Sequence, residues 1–262
     1  MSHGGEIPEL DKAARRFLAL QDDTIDALDA EQRDWVAASW TRRAAAEVAA
    51  GAMFAVITQG LFRERAPQEL LWLAARGTCD ELRHAEICRY VALRYGGEAP
   101  PRALPPALEE VRFGDAPAGL SRVLYALLNT CVNETIATAY LNACLADARG
   151  PLADAALREL LHDEVDHGRL GFALLASDWI DAQAREHLAL ALPTLLRIGR
   201  DAWLDTAARL PADSVPGHGC PSGTVVRAVV EEALRELVLP GFAHVGIDTS
   251  KGAAWLLSVS IE

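Results

Sequence analysis

Two short stretches, DELRH at residues 80–84 and DEVDH at residues 163–167, repeat one pattern in this chain of 262 residues. Each stretch places a glutamate three positions before a histidine, so in a helix both side chains leave the same face about one turn apart. The surrounding sequence is rich in alanine and leucine, as in buried helices. A carboxylate beside an imidazole in such company indicates a site inside the protein.

Two isolated glutamates strengthen this interpretation. Glu47 is the only charged residue within residues 44–62, and Glu134 is the only charged residue within residues 123–146. Burying an ionised carboxylate without a partner costs several kcal/mol, so such a group takes up a proton or binds a cation. A neutral, hydrogen-bonded core glutamate is the alternative for each one singly. Two at matching places in two long helices favour a shared cation site.

A third Glu-x-x-His pair, Glu159 with His162, competes with Glu164 and His167. Glu159 precedes Glu164 by five residues, or roughly 140° around a helix, so both pairs cannot face one site. We prefer the pair Glu164 and His167, because an aspartate directly precedes Glu164 just as Asp80 directly precedes Glu81. The Glu159 pair remains the alternative.

Helical periodicity and scarce β-branched runs predict an all-α protein. The predicted helices span about 30–63, 67–95, 117–148, 151–176, 178–209 (kinked at Pro193) and 222–240, with a short leading helix before them. Short joints flank one long connection rich in proline and glycine, which is typical of a four-helix bundle with one long crossover. We therefore expect a single domain over residues 1–262, with a metal-binding bundle at about 30–176 and a C-terminal helical extension at about 178–250.

Composition excludes several classes of function. The net charge of −12 argues against nucleic acid and against an anionic membrane surface as partners. Five cysteines without CxxC spacing argue against a disulfide framework, a zinc ribbon or an iron–sulfur cluster. No basic-then-apolar leader and no uninterrupted apolar run comfortably long enough for a bilayer is present, so we expect a soluble, cytoplasmic protein.

The order Glu, Glu-x-x-His, Glu, Glu-x-x-His suits two divalent cations of the iron or manganese type better than structural zinc or copper. Over residues 30–176 the chain resembles the ferritin-like di-iron carboxylate superfamily. In the order of its ligands and in its size it is similar to small stand-alone di-iron oxygenases such as aldehyde-deformylating oxygenases. The resemblance implies two iron ions, with Fe/Mn or Mn/Mn as alternatives. The ligands that it implies are Glu47, Glu81, His84, Glu134, Glu164 and His167.

Residues near these ligands are similar to those of bacterial multicomponent monooxygenases. There an aspartate before each ligating glutamate orients the histidine of the other motif, which implies this role for Asp80 and Asp163. Arg83 is then expected to bridge to Asp163, with simple surface carboxylates as the alternative. Thr138 and Cys88 match pocket positions, and the threonine is the candidate catalytic group for dioxygen chemistry. Ordinary packing is the alternative for both.

Helical spacing also predicts that Gly51, Phe54 and Cys131 face the cavity, with Gly51 leaving room for dioxygen or substrate. At two positions the sequence differs from known groups of this superfamily, which narrows the choice among them. Cys88 stands where ribonucleotide reductase subunits carry a radical tyrosine, and Leu160 stands where arylamine N-oxygenases carry an extra histidine ligand.

The expected function is therefore a di-iron oxygenase or oxidase that activates dioxygen to oxidise a small organic substrate, in specialised metabolism as one setting. No GxGxxG fingerprint is present, so electrons are expected from a separate reductase or ferredoxin. A homodimer is an open option. The alternative functions are a ferroxidase or iron-storage protein and a metal-free binding bundle. The loop at 211–223 is expected to cover a substrate entrance, with His218 solvated.

Overall fold

A computed structural model describes residues 8–108, 112–210 and 214–259. Within these ranges the protein is all-α, as predicted, and strand-like pairing is limited to an isolated bridge between Val215 and Cys220. Residues 109–111 of the long crossover lie outside the described residues, as do residues 211–213 of the 211–223 loop.

The helices follow the predicted segments closely. They are α1 Pro8–Ala19, α2 Ala30–Arg63, α3 Gln68–Gly96, α4 Ala118–Leu127, α5 Glu134–Asp147, α6 Pro151–Ala176, α7 Ala182–Ala208, α8 Gly223–Ala233, α9 Leu239–His244 and α10 Ser250–Val259. Two π-helical turns, Leu128–Asn133 and Leu234–Val238, interrupt what the sequence predicts as single helices. The α10 helix was not predicted, because the expected extension ends near residue 250.

Local signals explain where the long helices begin and end. A capping box at Asp29 and Gln32 starts α2, since each side chain accepts a hydrogen bond from the backbone of the other. Pro151 occupies the first position of α6, where a proline costs nothing because that N–H has no partner inside the helix. Gly97 ends α3 in the left-handed conformation, with φ of 77°, and its N–H donates to the Leu93 carbonyl.

The long helices pack as a bundle. The α2 helix packs along α3, α3 contacts α6, α6 contacts α5, and α4 closes the ring against α2. The later helices lie outside this ring, where α7 contacts α4 and α8 contacts α5. The division into one domain stays a prediction.

Two apolar clusters fill the interior. One contains Phe54 and Leu127 and extends under α7–α10, while the other contains Trp40 and Ile87. Along α2, Glu47 lies in sequence between Trp40 of one cluster and Phe54 of the other. This candidate ligand position on α2 therefore lies between the two clusters.

Among the residues that the structure describes, one helix, α2, is long and apolar enough to cross a membrane by the criteria of length and composition. Core helices of soluble proteins meet the same criteria. In this fold α2 is part of the bundle, and the expected absence of a membrane partner stays a prediction.

Close approach between α6 and the π-turn before α5 requires a glycine. A Cβ atom at Gly171 would clash with Thr130 and Cys131 of that turn. One turn earlier on the same helix, a Cβ atom at Gly168 would have its nearest neighbour, the Thr130 carbonyl oxygen, at 3.9 Å. The two glycines therefore differ in packing while sharing one helix.

We expect Gly171→Ala to lower the free energy of unfolding by about 1–3 kcal/mol, because the packed helices must move apart. Gly168→Ala is the matched control and should leave the protein as stable or raise its stability by about 0.5–1 kcal/mol, the ordinary preference for alanine within a helix. Urea denaturation followed by circular dichroism measures both changes. Equal effects of the two substitutions would contradict the packing argument.

Candidate metal centre

Six side chains from four helical segments converge between the two apolar clusters. One group that could hold a metal ion consists of Glu47, Glu81, His84 and Glu164, and a second consists of Glu81, Glu134, Glu164 and His167. Within each group the candidate ligand atoms lie within 4.8 Å of one another. Glu81 and Glu164 belong to both groups, so the structure forms two adjacent positions that share two carboxylates.

These side chains are almost wholly enclosed. Glu81, His84, Glu134, Glu164 and His167 are at most 5% exposed. Glu47 is the exception, because it retains some accessible surface.

Both histidines turn the same ring nitrogen toward the shared carboxylates. The Nδ1 atom of His84 lies 3.4 Å from Glu81 and 3.7 Å from Glu164, and that of His167 lies 3.1 Å from Glu81 and 3.4 Å from Glu164. Both Nδ1 atoms, with one oxygen each of Glu81 and Glu164, are buried without a hydrogen-bond partner. Native interiors rarely leave such atoms unpaired. Their convergence fits a cation between them.

Burial and mutual repulsion keep two of the glutamates protonated in the metal-free protein. Burial raises the pKa of Glu47 well above its ordinary value, and the neighbouring carboxylate of Glu81 raises it further. Burial and the carboxylates of Glu164 and Glu81 raise the pKa of Glu134 in the same way. Four carboxylates this close cannot all ionise unless positive charge lies among them.

The histidines compensate the other carboxylates. Burial lowers the pKa of His84, but the contacts with Asp163 and Glu81 outweigh burial and raise it to about 10. The pKa of His167 is raised in the same sense, because Asp80 and the two shared glutamates outweigh its burial. Burial raises the pKa of Glu81, yet the two histidines bring it down to about 2. Without a metal ion, the imidazolium rings of His84 and His167 therefore supply the positive charge that keeps Glu81 ionised.

Two aspartates contact the outer nitrogens of these histidines crosswise. Asp163, which precedes Glu164, lies 3.1 Å from Nε2 of His84 on the other motif. Asp80 lies 3.7 Å from Nε2 of His167, a separation longer than a hydrogen bond. The expected crosswise arrangement is thus present in the geometry, and the orienting role of the aspartates stays a prediction.

Two arginines hold these aspartates from outside. Arg83 pairs with Asp163, as the sequence predicts, and also with Glu159 at 2.7 Å. Arg76 contacts Asp80 at 3.1 Å and Asp163 at 3.4 Å, so one guanidinium group spans both aspartates. Sequence reasoning missed Arg76. Its position one turn before Asp80 on α3 was an available signal.

The competing Glu-x-x-His pair lies outside the cluster. Glu159 pairs with Arg16 and Arg83 near the surface, and His162 is exposed. The preference for Glu164 and His167 therefore agrees with the geometry.

The predicted pocket residues fall into different environments. Phe54 borders the cluster, since its ring centroid lies 4.9 Å from that of His167. Cys131 packs toward Gly171 instead. The expectation that Gly51 leaves room for a small molecule stays a prediction. A Cβ atom at this position would lie 3.4 Å from Cβ of Glu81, an ordinary van der Waals contact between α2 and α3.

Thr138 and Cys88 each lie one helical turn after a residue of the cluster, Glu134 and His84 respectively. The Thr138 hydroxyl donates to the Glu134 carbonyl at 2.8 Å, the ordinary bond of a helical threonine to the preceding turn. Cys88 is fully buried, and burial together with the charge of Glu47 raises the pKa of its thiol well above the ordinary value. The catalytic role of Thr138 stays a prediction.

The prediction that His218 is solvated is wrong. This side chain is 6% exposed, and its Nδ1 lies 2.9 Å from the Tyr95 hydroxyl at the end of α3. Its backbone carbonyl accepts a hydrogen bond from the Trp40 indole at 3.1 Å. The described part of the loop is therefore packed into the end of the bundle.

The π-turn Leu128–Asn133 directly precedes Glu134. A π-turn contains one residue more than an α-turn and rotates everything after it, so it sets the direction in which Glu134 leaves the helix. The Asn133 amide donates to Asn129 at 3.1 Å across this turn.

A cleft of about 1030 Å³ opens between the end of the crossover, α4 and α7. Its lining includes Tyr125, Leu128 and His187 but none of the six cluster residues.

Compared with known proteins, the chain matches no family model and has no significant match among curated proteins or solved structures.

Asp163→Asn should weaken binding of Mn²⁺ or Fe²⁺ about 10–100-fold, because the amide no longer fixes the proton on Nε2 of His84. Asp166→Asn is the matched control, since Asp166 contacts Arg76 at 2.7 Å from the same helix. It should bind metal as the wild type does. Anaerobic metal titration measures both, and equal losses in the two variants would contradict the role of Asp163.

Metal binding at pH 7 should release more than one proton. Glu47, Glu134, His84 and His167 have raised pKa values and hold protons in the metal-free protein, whereas ligands bind deprotonated. Metal affinity should therefore rise with pH. Calorimetry in buffers of different ionisation enthalpy counts the protons, and Glu134→Gln should release about one fewer. A binding heat independent of buffer would contradict this expectation.

Proposed function

We propose that this protein is a ferritin-like di-iron oxidoreductase, an oxygenase or oxidase that uses dioxygen to oxidise a small organic molecule. The observation that carries the proposal is the pair of adjacent ligand groups sharing Glu81 and Glu164. The two groups share two carboxylates, and each has one further glutamate and one imidazole, a set of ligands that would suit a pair of divalent ions.

The architecture supports the ferritin-like assignment. The α2–α3 and α5–α6 hairpins have short joints, while a long connection separates α3 from α4, as in a bundle with one crossover. In each hairpin one helix supplies a single glutamate and the other supplies a Glu-x-x-His pair. The proposed domain covers the whole chain, with α7–α10 as its extension.

The donor set supports iron or manganese. Four carboxylates and two imidazoles form a hard, oxygen-rich environment, which suits these ions better than tetrahedral zinc or a copper site. Bound here, two redox-active ions would supply electron transfer to dioxygen. Fe/Mn and Mn/Mn pairs use the same ligands.

The protein's own residues would bind, orient and shield. Glu47, Glu134 and the two shared glutamates would hold the ions, and Asp80 and Asp163 would keep the outer histidine nitrogens protonated. The apolar clusters on either side would exclude water, which strengthens every electrostatic interaction inside. Electrons would come from a separate reductase or ferredoxin.

A ferroxidase or storage function is the alternative, because the same ligands would serve it. The extra helices favour an enzyme. The α7 helix contacts α4, α8 contacts α5, and α10 contacts α7. A minimal iron-storing bundle does not need these additional helices. The free state of all five cysteines is compatible with a reducing cytosol, where we place the protein.

Purified protein loaded with Fe²⁺ under anaerobic conditions should bind about two ions per chain, and Glu134→Ala should reduce this number. Addition of oxygen should then consume dioxygen and produce a change in the iron absorption spectrum. Glu159→Ala, which alters the surface pair, is the control and should retain both ions. A single zinc or no metal would contradict the di-iron proposal, and a 24-subunit particle by size exclusion would favour storage.

A further inference from the structure

The two motifs, DELRH and DEVDH, differ in charge at their fourth residue. That residue is Arg83 in the first motif and Asp166 in the second. Arg83 reaches across to Asp163, the first residue of the other motif. Asp166 cannot do the same for Asp80, since two carboxylates repel each other. The second motif therefore supplies no cation to the aspartate of the first.

A guanidinium group from outside the motifs takes this place. Arg76 lies on α3 one turn before Asp80, and its Nε is 3.1 Å from Oδ2 of that aspartate. Its Nη2 donates to Asp163 at 3.4 Å, and its Nη1 donates to Asp166 at 2.7 Å. Asp166→Asn would keep an acceptor oxygen for Nη1, so the contacts that matter for the histidines are those with the other two aspartates.

Both of these aspartates lie between Arg76 and a histidine ring. Oδ2 of Asp80, which is 3.1 Å from Arg76, is also 3.7 Å from Nε2 of His167. Asp163 turns Oδ1 toward Arg76 and Oδ2 toward Nε2 of His84, at 3.4 Å and 3.1 Å. One guanidinium group therefore contacts the acids next to the outer nitrogens of both histidines.

The contacts of Arg76 differ from an isolated surface ion pair, which contributes little because water screens it. The side chains of Asp80 and Asp163 are only 15% and 6% exposed. The guanidinium carbon lies 5.6 Å from the Trp72 ring, a further favourable contact for the cation. Without Arg76, the two aspartates would repel each other and turn away from the histidine rings.

We propose that Arg76 is a positioning residue for both candidate metal positions, holding Asp80 and Asp163 so that each orients the histidine it contacts. The inference rests on the proposed function and adds a side chain outside the ligand set on which both positions depend. Arg83 supports one position only. It pairs with Asp163, and within the described part of the chain it forms no ion pair with Asp80.

Backgrounds with a single position resolve the two sites. Glu134→Ala leaves the group that contains Glu47 and His84, and Glu47→Ala leaves the group that contains Glu134 and His167. Arg76→Met should weaken binding of one Mn²⁺ about tenfold in both backgrounds, the lower end of the effect of outer-shell partners. Titration followed by electron paramagnetic resonance measures each affinity. An unchanged affinity in either background would overturn the proposal.

Two other arginines are the matched controls. Arg83→Met should weaken binding only in the Glu134→Ala background, where His84 remains. Arg169→Met should change neither affinity, because this side chain is 70% exposed and lies 4.0 Å from Asp166. A loss of equal size in both backgrounds from either control would overturn the assignment to Arg76.

The histidine rings themselves provide a readout that needs no metal. In nuclear magnetic resonance of the metal-free protein, Arg76→Met should shift the ring nitrogen signals of both His84 and His167. Arg83→Met should shift only those of His84. An unshifted ring of either histidine in Arg76→Met would overturn the proposal, and these signals also decide where a single-position background binds no ion.

A conservative variant separates positioning from a general loss of stability. Arg76→Lys keeps the charge and should lose less affinity than Arg76→Met, although an ammonium group cannot span two carboxylates as a guanidinium fork does. Equal losses in the two variants would overturn the electrostatic argument. Arg76→Gln, which is also neutral, replaces Arg76→Met should that variant fail to fold.

Metal content of the wild type separates this inference from the proposed function. Two bound ions, together with unchanged affinities in Arg76→Met, would overturn the role of Arg76 and leave the di-iron function standing. No uptake of iron or manganese would overturn the di-iron function and, with it, the metal positions that Arg76 is proposed to serve.

Discussion

The interior of this protein is organised by the electrostatic cost of placing four carboxylates within a few ångströms of one another. Glu47 and Glu134 avoid ionisation by raised pKa values, while Glu81 is ionised beside two imidazolium rings. The second arrangement places ionised groups in an apolar core, which is costly unless compensating charges lie around them. The aspartates around the histidines, and the arginines around the aspartates, form the successive layers of opposite charge that the cluster requires.

The sequence predicts much of the fold, because helical periodicity and end signals are local. The bounds of α2 and α6 follow from Asp29, Gln32 and Pro151 and from unbroken apolar patterns. The six clustered residues were also predictable, since two motifs repeat and two glutamates stand alone among apolar residues. A single Glu-x-x-His pair would not have sufficed, as the surface pair at Glu159 shows.

What the sequence could not predict depends on contacts between distant segments. His218 is buried because Tyr95 and Trp40, more than one hundred residues away, enclose it. The surroundings of Gly51 likewise depend on the distance between α2 and α3, which is a property of the packed pair. The π-turn before Glu134 follows from no local rule, since the asparagines, threonine, cysteine and valine of Leu128–Asn133 have modest helix propensity but do not specify an extra residue in the turn. Intrinsic helix propensity does not predict features that are determined by tertiary packing.

The crosswise contacts between motifs have a consequence for how the site assembles. Asp163 reaches the histidine of the α3 motif, and Asp80 faces the histidine of the α6 motif. Each helical hairpin therefore carries a glutamate and a Glu-x-x-His pair, whereas the aspartate nearest the outer nitrogen of its histidine belongs to the other hairpin. Neither half is a complete site, so the centre exists only in the docked pair. The affinity of the proposed site for a cation would therefore measure how firmly the two halves of the chain hold each other.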